Sequence, residues 1–395
     1  MNIVFLLRPW PVYGGGESVT IALANEMVKR EMSVSILYTK DVCNKKPPYI
    51  DSKIQAIKVP NIKSDEHSKS FSKEEKKYAN SFLKEFVRSH NIDIVISQWW
   101  PAECLKGVKE LCGVITCLHM SLFLPSNYNN IKWLSKSFYK KMLGERLYFK
   151  CHCISRCKQV EEYLPYVDKY VFLSDSFKKD YLNFRNGINE SKLEYCYNPL
   201  PFNSFITDDE LKEKENIVLY VGRMYDSHKN VSMILDVWRS IEDVSSFDSW
   251  KLVLVGDGPD KNKFENKARL LNLQRISFEG YQLPEKYYKK AKIFVMTSNH
   301  EGWGMTLVES QMNGVVPIVL DTFSSSHEII KDGFNGKLIK YGDFNSYVNN
   351  LKLLMTDESR LKNMAISGID TCKRFSVENI VDKWTLIFNQ ILKDK

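Results

Sequence analysis

Short apolar runs bounded by turn-forming residues alternate along this chain with longer stretches whose apolar positions recur every three or four residues. Residues 3–7 (IVFLL) precede the amphipathic stretch 17–30, and further short runs follow at 34–38, 92–96 and 114–118. Runs of that length read as strands and the longer stretches as helices, and their alternation predicts a parallel sheet of the doubly wound kind. After Asn198-Pro199-Leu200-Pro201 and an acidic stretch over 208–215 the pattern restarts, with strands expected at 217–221, 250–255, 276–279 and 293–297 and helices at 230–242 and 261–271. Residues 199–215 therefore read as a domain linker. Near the end, Val377, Ile380, Val381, Trp384, Ile387, Phe388 and Ile391 fall at helical spacing.

Composition agrees with this division. A chain of 395 residues that is 44% hydrophobic can bury a large core, and its length favours two domains. The apolar run at 3–7 is too short for a secretory signal or a membrane span, and no basic region precedes it. Nine cysteines without an export signal are expected to be reduced thiols in the cytoplasm. Cys151, His152, Cys153 and Cys157 match no common zinc spacing and are read as ordinary residues.

The net charge of +8 is carried by the first half of the chain. It is densest between Lys132 and Lys158, where Lys136, Lys140, Lys141, Arg146, Lys150 and Arg156 also lie and Glu145 is the single acid. Trp133, Phe138, Tyr139, Leu143, Leu147 and Phe149 are interleaved with them. Two readings stand: a core helix with a solvated basic face, or a helix lying on an anionic membrane surface. No nucleic-acid module accompanies the charge, so a nucleic-acid partner is not expected.

Three stretches carry candidate chemistry. Gly14-Gly15-Gly16-Glu17 follows the first strand and leads into a helix, so its amides could face an anion. Its spacing is not G-x-G-x-x-G, which removes most of a nicotinamide-cofactor reading. Gly222 and Arg223 end the strand 217–221, and Lys229 follows through a short loop. The two cations read as a clamp for a diphosphate. The turn Gly256-Asp257-Gly258-Pro259 is read mainly as structural. The strand 293–297 leads to HEGWGMTLVE at 300–309, with Glu301 at the strand end and Glu309 about two helical turns on. The amides of Met305, Thr306 and Leu307 would start that helix and suit a phosphate. Two carboxylates flanking a phosphate site suit hydroxyls on either side of it, as in a nucleotide sugar.

Gly222-Arg223 with Lys229, the Gly256–Pro259 turn, Glu301-Gly-Trp-Gly-Met-Thr-Leu-Val-Glu309 and Glu328-Ile-Ile-Lys-Asp-Gly-Phe-Asn-Gly336 stand in the order seen in family 4 of the retaining glycosyltransferases. The second half of the chain resembles that family throughout, and the first half more loosely. The resemblance implies the GT-B fold, two Rossmann-like α/β domains facing a cleft: an acceptor-binding domain over 1–200, a donor-binding domain over 201–374, and a helix over 375–395 that crosses back to the first domain. It also implies a retaining hexosyltransferase that uses a UDP- or GDP-sugar. The acceptor would be a saccharide, free or polyprenyl-diphosphate-linked, as in surface polysaccharide biosynthesis.

Residue by residue, the resemblance makes Arg223 and Lys229 the pair that neutralises the leaving diphosphate. Glu301 would hold the donor sugar's hydroxyls and Glu309 the ribose. Gly302, Trp303, Gly304, Met305, Thr306 and Leu307 form the turn against phosphate and sugar, although the side chain of Trp303 has no assigned role. Gly15 and Gly16 would let the first domain approach the donor, His119 would stand near the transferred sugar, and Tyr281 would lie against the base. Retention would follow from a front-face displacement in which the leaving diphosphate takes the acceptor's proton. No D-x-D pair sits at a strand end and two cations already serve the phosphates, so neither metal nor cofactor is expected. An epimerase or phosphorylase on the same fold, or a silent sugar-nucleotide binding protein, are the alternatives. The protein is expected in the cytoplasm, peripheral on the inner face of the membrane if the basic stretch binds lipid.

Overall fold

The computed structural model describes residues 1–10, 15–41, 49–63, 71–117, 145–185, 187–200 and 205–395, the side chains of residues 17 and 145–149 excepted. The chain divides into two compact units. The first comprises Met1–Phe123, Cys151–Pro201 and Phe375–Lys395, and the second is built around Phe202–Arg374.

Among the described residues the first unit holds seven parallel strands: β1 Asn2–Trp10, β2 Ser33–Asp41, β3 Gln55–Lys58, β4 Ile94–Ser97, β5 Gly113–Cys117, β6 Lys169–Phe172 and β7 Leu193–Tyr195. Their order is β3-β2-β1-β4-β5-β6-β7, so the winding reverses between β1 and β4. Ile3, Val4, Phe5, Leu6 and Leu7 are all buried, as befits a central strand covered on both faces. The helix Lys73–Ser89 starts at a capping box in which Ser72 and Glu75 bond each other's backbone amides. It buries Ala79, Leu83, Phe86 and Val87 in the same cluster as Val4, Leu6 and Val95.

The last helix, Val377–Lys393, is capped by Ser376 and buries the seven apolar residues noted in the sequence. Its place is in the first unit. Asp382 takes Arg30 Nη1 at 2.5 Å, and Ile391 lies so close to Gly113 on β5 that a Cβ there would come within 2.8 Å of it. A chain that leaves this unit near residue 201 thus returns to it at residue 375.

The second unit holds β8 Ile217–Val221, β9 Lys251–Val255, β10 Ile276–Gly280, β11 Ile293–Met296, β12 Val316–Asp321 and β13 Lys337–Lys340, in the parallel order β10-β9-β8-β11-β12-β13. Trp238, Phe264 and Tyr347 fill one side of this sheet. Here the winding reverses between β8 and β11, which pair through Ile293 and Val218. In open α/β sheets ligands collect at the carboxyl ends of the strands flanking such a reversal. Both strand ends lead directly into the residues singled out above.

Two expected boundaries differ. The first strand runs on to Trp10, and the helix after it begins at Gly15. Gly15 and Gly16 are therefore helical residues, and Gly14 lies outside the described residues. Among the described residues no helix is long and apolar enough to cross a membrane.

Candidate active site

At the end of β8, Gly222 brings the chain against β9: its amide donates to the Val255 carbonyl at 3.0 Å. Gly256 sits at φ 140°, and a Cβ there would come within 1.9 Å of the Gly222 carbonyl oxygen. Gly258 is equally confined, with a Cβ position 2.5 Å from the Met224 carbonyl oxygen. The Gly256–Pro259 turn is therefore the bed on which the 222–224 backbone rests, and neither of its glycines has room for a side chain.

Arg223 leaves that bed exposed. Its guanidinium stands 5.7 Å from the Tyr225 ring centroid and has no carboxylate partner among the described residues. The next residues are held by Asp226, whose carboxylate accepts from the amide of Ser232 at 2.9 Å, from Ser232 Oγ at 2.7 Å and from Lys263 Nζ at 2.6 Å. A one-turn helix, Asp226–Lys229, follows and ends in Asn230 with left-handed backbone. Lys229 is carried on its last residue.

The end of β11 supplies the counterpart. Thr297 Oγ1 donates to the carbonyls of Lys229 and Asn230 at 3.2 and 2.9 Å, and Asn299 donates to those of His228 and Ser227. These bonds fix the two loops in register. Lys229 Nζ then meets Glu301 Oε1 at 2.5 Å, and Ser298 Oγ donates to the same oxygen at 2.7 Å. Burial alone would push the Glu301 carboxyl up. The Lys229 ammonium, its hydrogen bond and that of Ser298 outweigh this and hold it below its ordinary value. Glu301 Oε2 accepts nothing among the described residues. The imidazole of His228 is depressed by burial and by the Lys229 ammonium, with Glu301 opposing and Arg223 adding to the fall. Arg223, Lys229 and Glu301 therefore act on one locality.

The turn that follows passes through Gly304 at φ 83°, where an L side chain would be strained, and opens the helix Met305–Met312. The expectation of three helix-start amides needs correction: the Leu307 amide donates to the Gly304 carbonyl at 2.9 Å. Met305 and Thr306 keep theirs at the open end. The Trp303 side chain is likewise no ligand contact, since it is 2% exposed, and Leu307 is fully buried. Their part in the motif is to pack the turn, with backbone the only portion left to face a donor.

Glu309 stands within the helix, half-buried. Its Oε2 accepts from the Tyr288 hydroxyl at 3.0 Å. Burial pushes its carboxyl up to about 7, and the Tyr288 hydrogen bond only partly offsets this. Tyr281 follows Gly280, is 66% exposed and offers a free ring face beyond β10. In the first unit Gly16 has nothing within 4 Å of a built Cβ, and its carbonyl accepts from Thr20 Oγ1 at 3.0 Å. His119 lies outside the described residues, as do Lys132, Lys136, Lys140 and Lys141 of the basic stretch. Cys153 and Cys157 are buried while Cys151 is exposed, and among the described residues no group of three or more His, Cys, Asp or Glu side chains is placed to hold a metal ion.

Sequence reasoning missed Ser298, Thr297, Asn299 and Tyr288. The first three directly follow a strand of the right order, which is a usable signal. Tyr288 has none, since it meets Glu309 from a different helix.

The model of the family described as Glycosyl transferases group 1 matches residues 203–370. The second unit is thus a glycosyl transferases group 1 domain, and the two parallel α/β sheets are those of the GT-B class. Among curated proteins the chain is 26% identical over 323 residues to the lipopolysaccharide 1,6-galactosyltransferase of Salmonella typhimurium, covering 79% of this chain and 83% of that protein. It is 28% identical over 228 residues to a Campylobacter jejuni protein, GalNAc-alpha-(1->4)-GalNAc-alpha-(1->3)-diNAcBac-PP-undecaprenol alpha-1,4-N-acetyl-D-galactosaminyltransferase. That match spans 58% of this chain and 61% of the relative. A solved structure of Anabaena Alr3699/HepE, in complex with UDP and glucose, superposes with a TM-score of 0.68 at 13% identity, covering 99% of this chain and all of that one. The chain is therefore similar to bacterial glycosyltransferases, among them one of lipopolysaccharide.

Proposed function

We propose that this protein is a retaining glycosyltransferase that moves a hexose from a nucleotide-diphosphate sugar to a saccharide or lipid-linked saccharide. The observation that carries the reading is the joining of the β8 and β11 ends: Lys229 bonded to Glu301, with Arg223 exposed and unpaired with any described carboxylate. A diphosphate satisfies the free guanidinium and shares the ammonium. The open amides of Met305 and Thr306 add donors where a third fixed positive pole is useful.

In the transfer, the bond between the sugar's anomeric carbon and the diphosphate oxygen breaks, and its electron pair leaves with the diphosphate. Arg223 and Lys229 stabilise that charge, which is greatest in the transition state. A lone pair of the acceptor hydroxyl forms the new bond on the same face, and its proton passes to the departing phosphate oxygen. Glu301 holds hydroxyls of the sugar through its unoccupied oxygen, Glu309 holds the ribose, and Tyr281 covers the base. No step requires a metal or cofactor.

The expected acceptor is polyprenyl-diphosphate-linked, consistent with the undecaprenyl-diphosphate saccharide named for the Campylobacter relative. The charge between Lys132 and Lys158 would then seat the protein on the anionic inner face of the cytoplasmic membrane. Flotation with vesicles should increase with anionic lipid and fall with salt; binding indifferent to both removes the membrane part of the reading.

The transferase reading is tested by nucleoside diphosphate release from UDP- and GDP-sugars supplied with lipid-linked and oligosaccharide acceptors. Release that disappears in Glu301→Ala supports it. No consumption of any donor by the native protein, or full consumption by the variant, overturns it.

A further inference from the structure

The segment joining the two units has a built connection to the nucleotide-side carboxylate. Its short helix Asp208–Lys212 is capped by Thr207, and Glu210 completes the capping box. From there the chain clasps another helix, Glu285–Lys290. Glu210 takes Lys289 Nζ at 2.9 Å, and the Glu215 amide donates to the Lys290 carbonyl at 2.8 Å. Between them Lys214 is buried, and its ammonium donates to the carbonyls of Tyr288, Lys289 and Ala291 at 2.8, 3.3 and 2.7 Å.

These are the carbonyls a helix leaves unsatisfied at its C-terminal end, and a cation is the group that suits them electrostatically. A lysine rarely gives up its water unless each of its three donors is used, which is what this arrangement provides. On the same helix Tyr288 is fully buried, lies with its ring centroid 6.2 Å from that of Phe294 on β11 at a tilt of 52°, and donates its hydroxyl to Glu309 Oε2. Glu309 Oε1 accepts nothing among the described residues. The segment is also tied to the helix that carries Glu309: the Ile206 amide donates to the Met312 carbonyl, and Leu211 lies against Gly314.

We infer that Lys214 and Tyr288 are positioning residues for the nucleotide: Lys214 fixes the end of the helix Glu285–Lys290, and Tyr288 on that helix holds Glu309 Oε2 so that Oε1 meets a ribose hydroxyl. Neither residue touches the ligand. The inference rests on the reading of Glu309 as the ribose carboxylate.

The test is calorimetric titration of the full chain with UDP and with GDP, in a double-mutant cycle. Tyr288→Phe removes one oxygen from a packed ring, and the nucleotide that binds should bind about tenfold more weakly, the worth of one hydrogen bond to a charged group. In the Glu309→Gln background the same change should cost nothing further. Lys214→Met should weaken binding in the same direction and be non-additive with Tyr288→Phe. If Lys214→Met does not fold, the Tyr288 cycle decides alone. Unchanged affinity in Tyr288→Phe, or an equal loss with and without Glu309, overturns the inference while leaving the ribose reading intact. Unchanged affinity in Glu309→Gln, or no binding of either nucleotide to the native protein, overturns the ribose reading itself.

Discussion

Lys229 Nζ and Glu301 Oε1 are bonded at 2.5 Å across the two strand ends where the sheet of the second unit reverses its winding. The pair is mostly covered, with 25% of the lysine side chain and 11% of the glutamate exposed. Removing one partner of a covered pair leaves the other desolvated and uncompensated, which costs more than the pair contributes. Lys229→Met should therefore destabilise the protein by about 3 kcal/mol, and Lys229→Met/Glu301→Gln should recover part of that loss in urea denaturation. Turnover should fall at least about 100-fold in both, because the leaving group loses a cation. A double variant less stable than Lys229→Met would show that the pair is not the coupling described.

The two glutamates of the motif should respond to acid in opposite senses. Glu301 is held below its ordinary value by Lys229, so it binds fewer protons folded than unfolded; its stabilisation is present above the unfolded pKa and lost as pH falls through the folded one. Glu309 is raised from 4.5 to about 7, so the folded protein binds an extra proton between those values and Glu309 favours folding increasingly as pH falls across that window. Glu309→Gln should flatten the pH dependence of stability between about pH 4.5 and 7, while Glu301→Gln should act mainly below it. Thermal melts across this range check both signs.

Nucleotide affinity should also report on Glu309. Only the ionised carboxylate offers acceptor oxygens alone to ribose hydroxyls, so binding should tighten as pH rises through about 7. Calorimetry from pH 5.5 to 8.5, conditions spanning roughly that value, should show this in the native protein. The same series on Glu309→Gln removes the part due to the nucleotide's own phosphates and to His228; an identical slope in the variant would deny Glu309 the role.

Gly256→Ala should damage the site without touching a ligand. The added Cβ would fall 1.9 Å from the Gly222 carbonyl oxygen at a φ of 140°. Relief requires moving the backbone next to Arg223. A loss of about 3 kcal/mol or more, or failure to fold, is expected in chemical denaturation, against a small effect for Gly16→Ala, where the space is open.

The alternation of strands and helices makes both parallel sheets legible, and the second most sharply: the strand expected at 217–221 matches to the residue. Strands β3, β6 and β7 are short and carry charged or half-exposed residues, so periodicity marks them weakly. At the site, the meeting of Lys229 and Glu301 could be read because each follows a strand end in an ordered motif. The contacts of Tyr288 and Lys214 could not, because their partners lie 21 and 74 positions away. The same limit explains Trp303 and Leu307, whose place in a ligand motif conceals that their side chains point into the core. The Leu307 amide departs from the expectation because Gly304, by turning left-handed, closes a bond at the helix start.

The most direct test of the account is to follow, by proton NMR, the sugar of whichever UDP- or GDP-sugar is consumed in the presence of a polyprenyl-diphosphate-linked acceptor. The account predicts that the sugar appears on the acceptor with the anomeric configuration it had in the donor, and that Arg223→Ala abolishes the product. An epimerised nucleotide sugar, a free sugar phosphate, or a product of inverted configuration would contradict it.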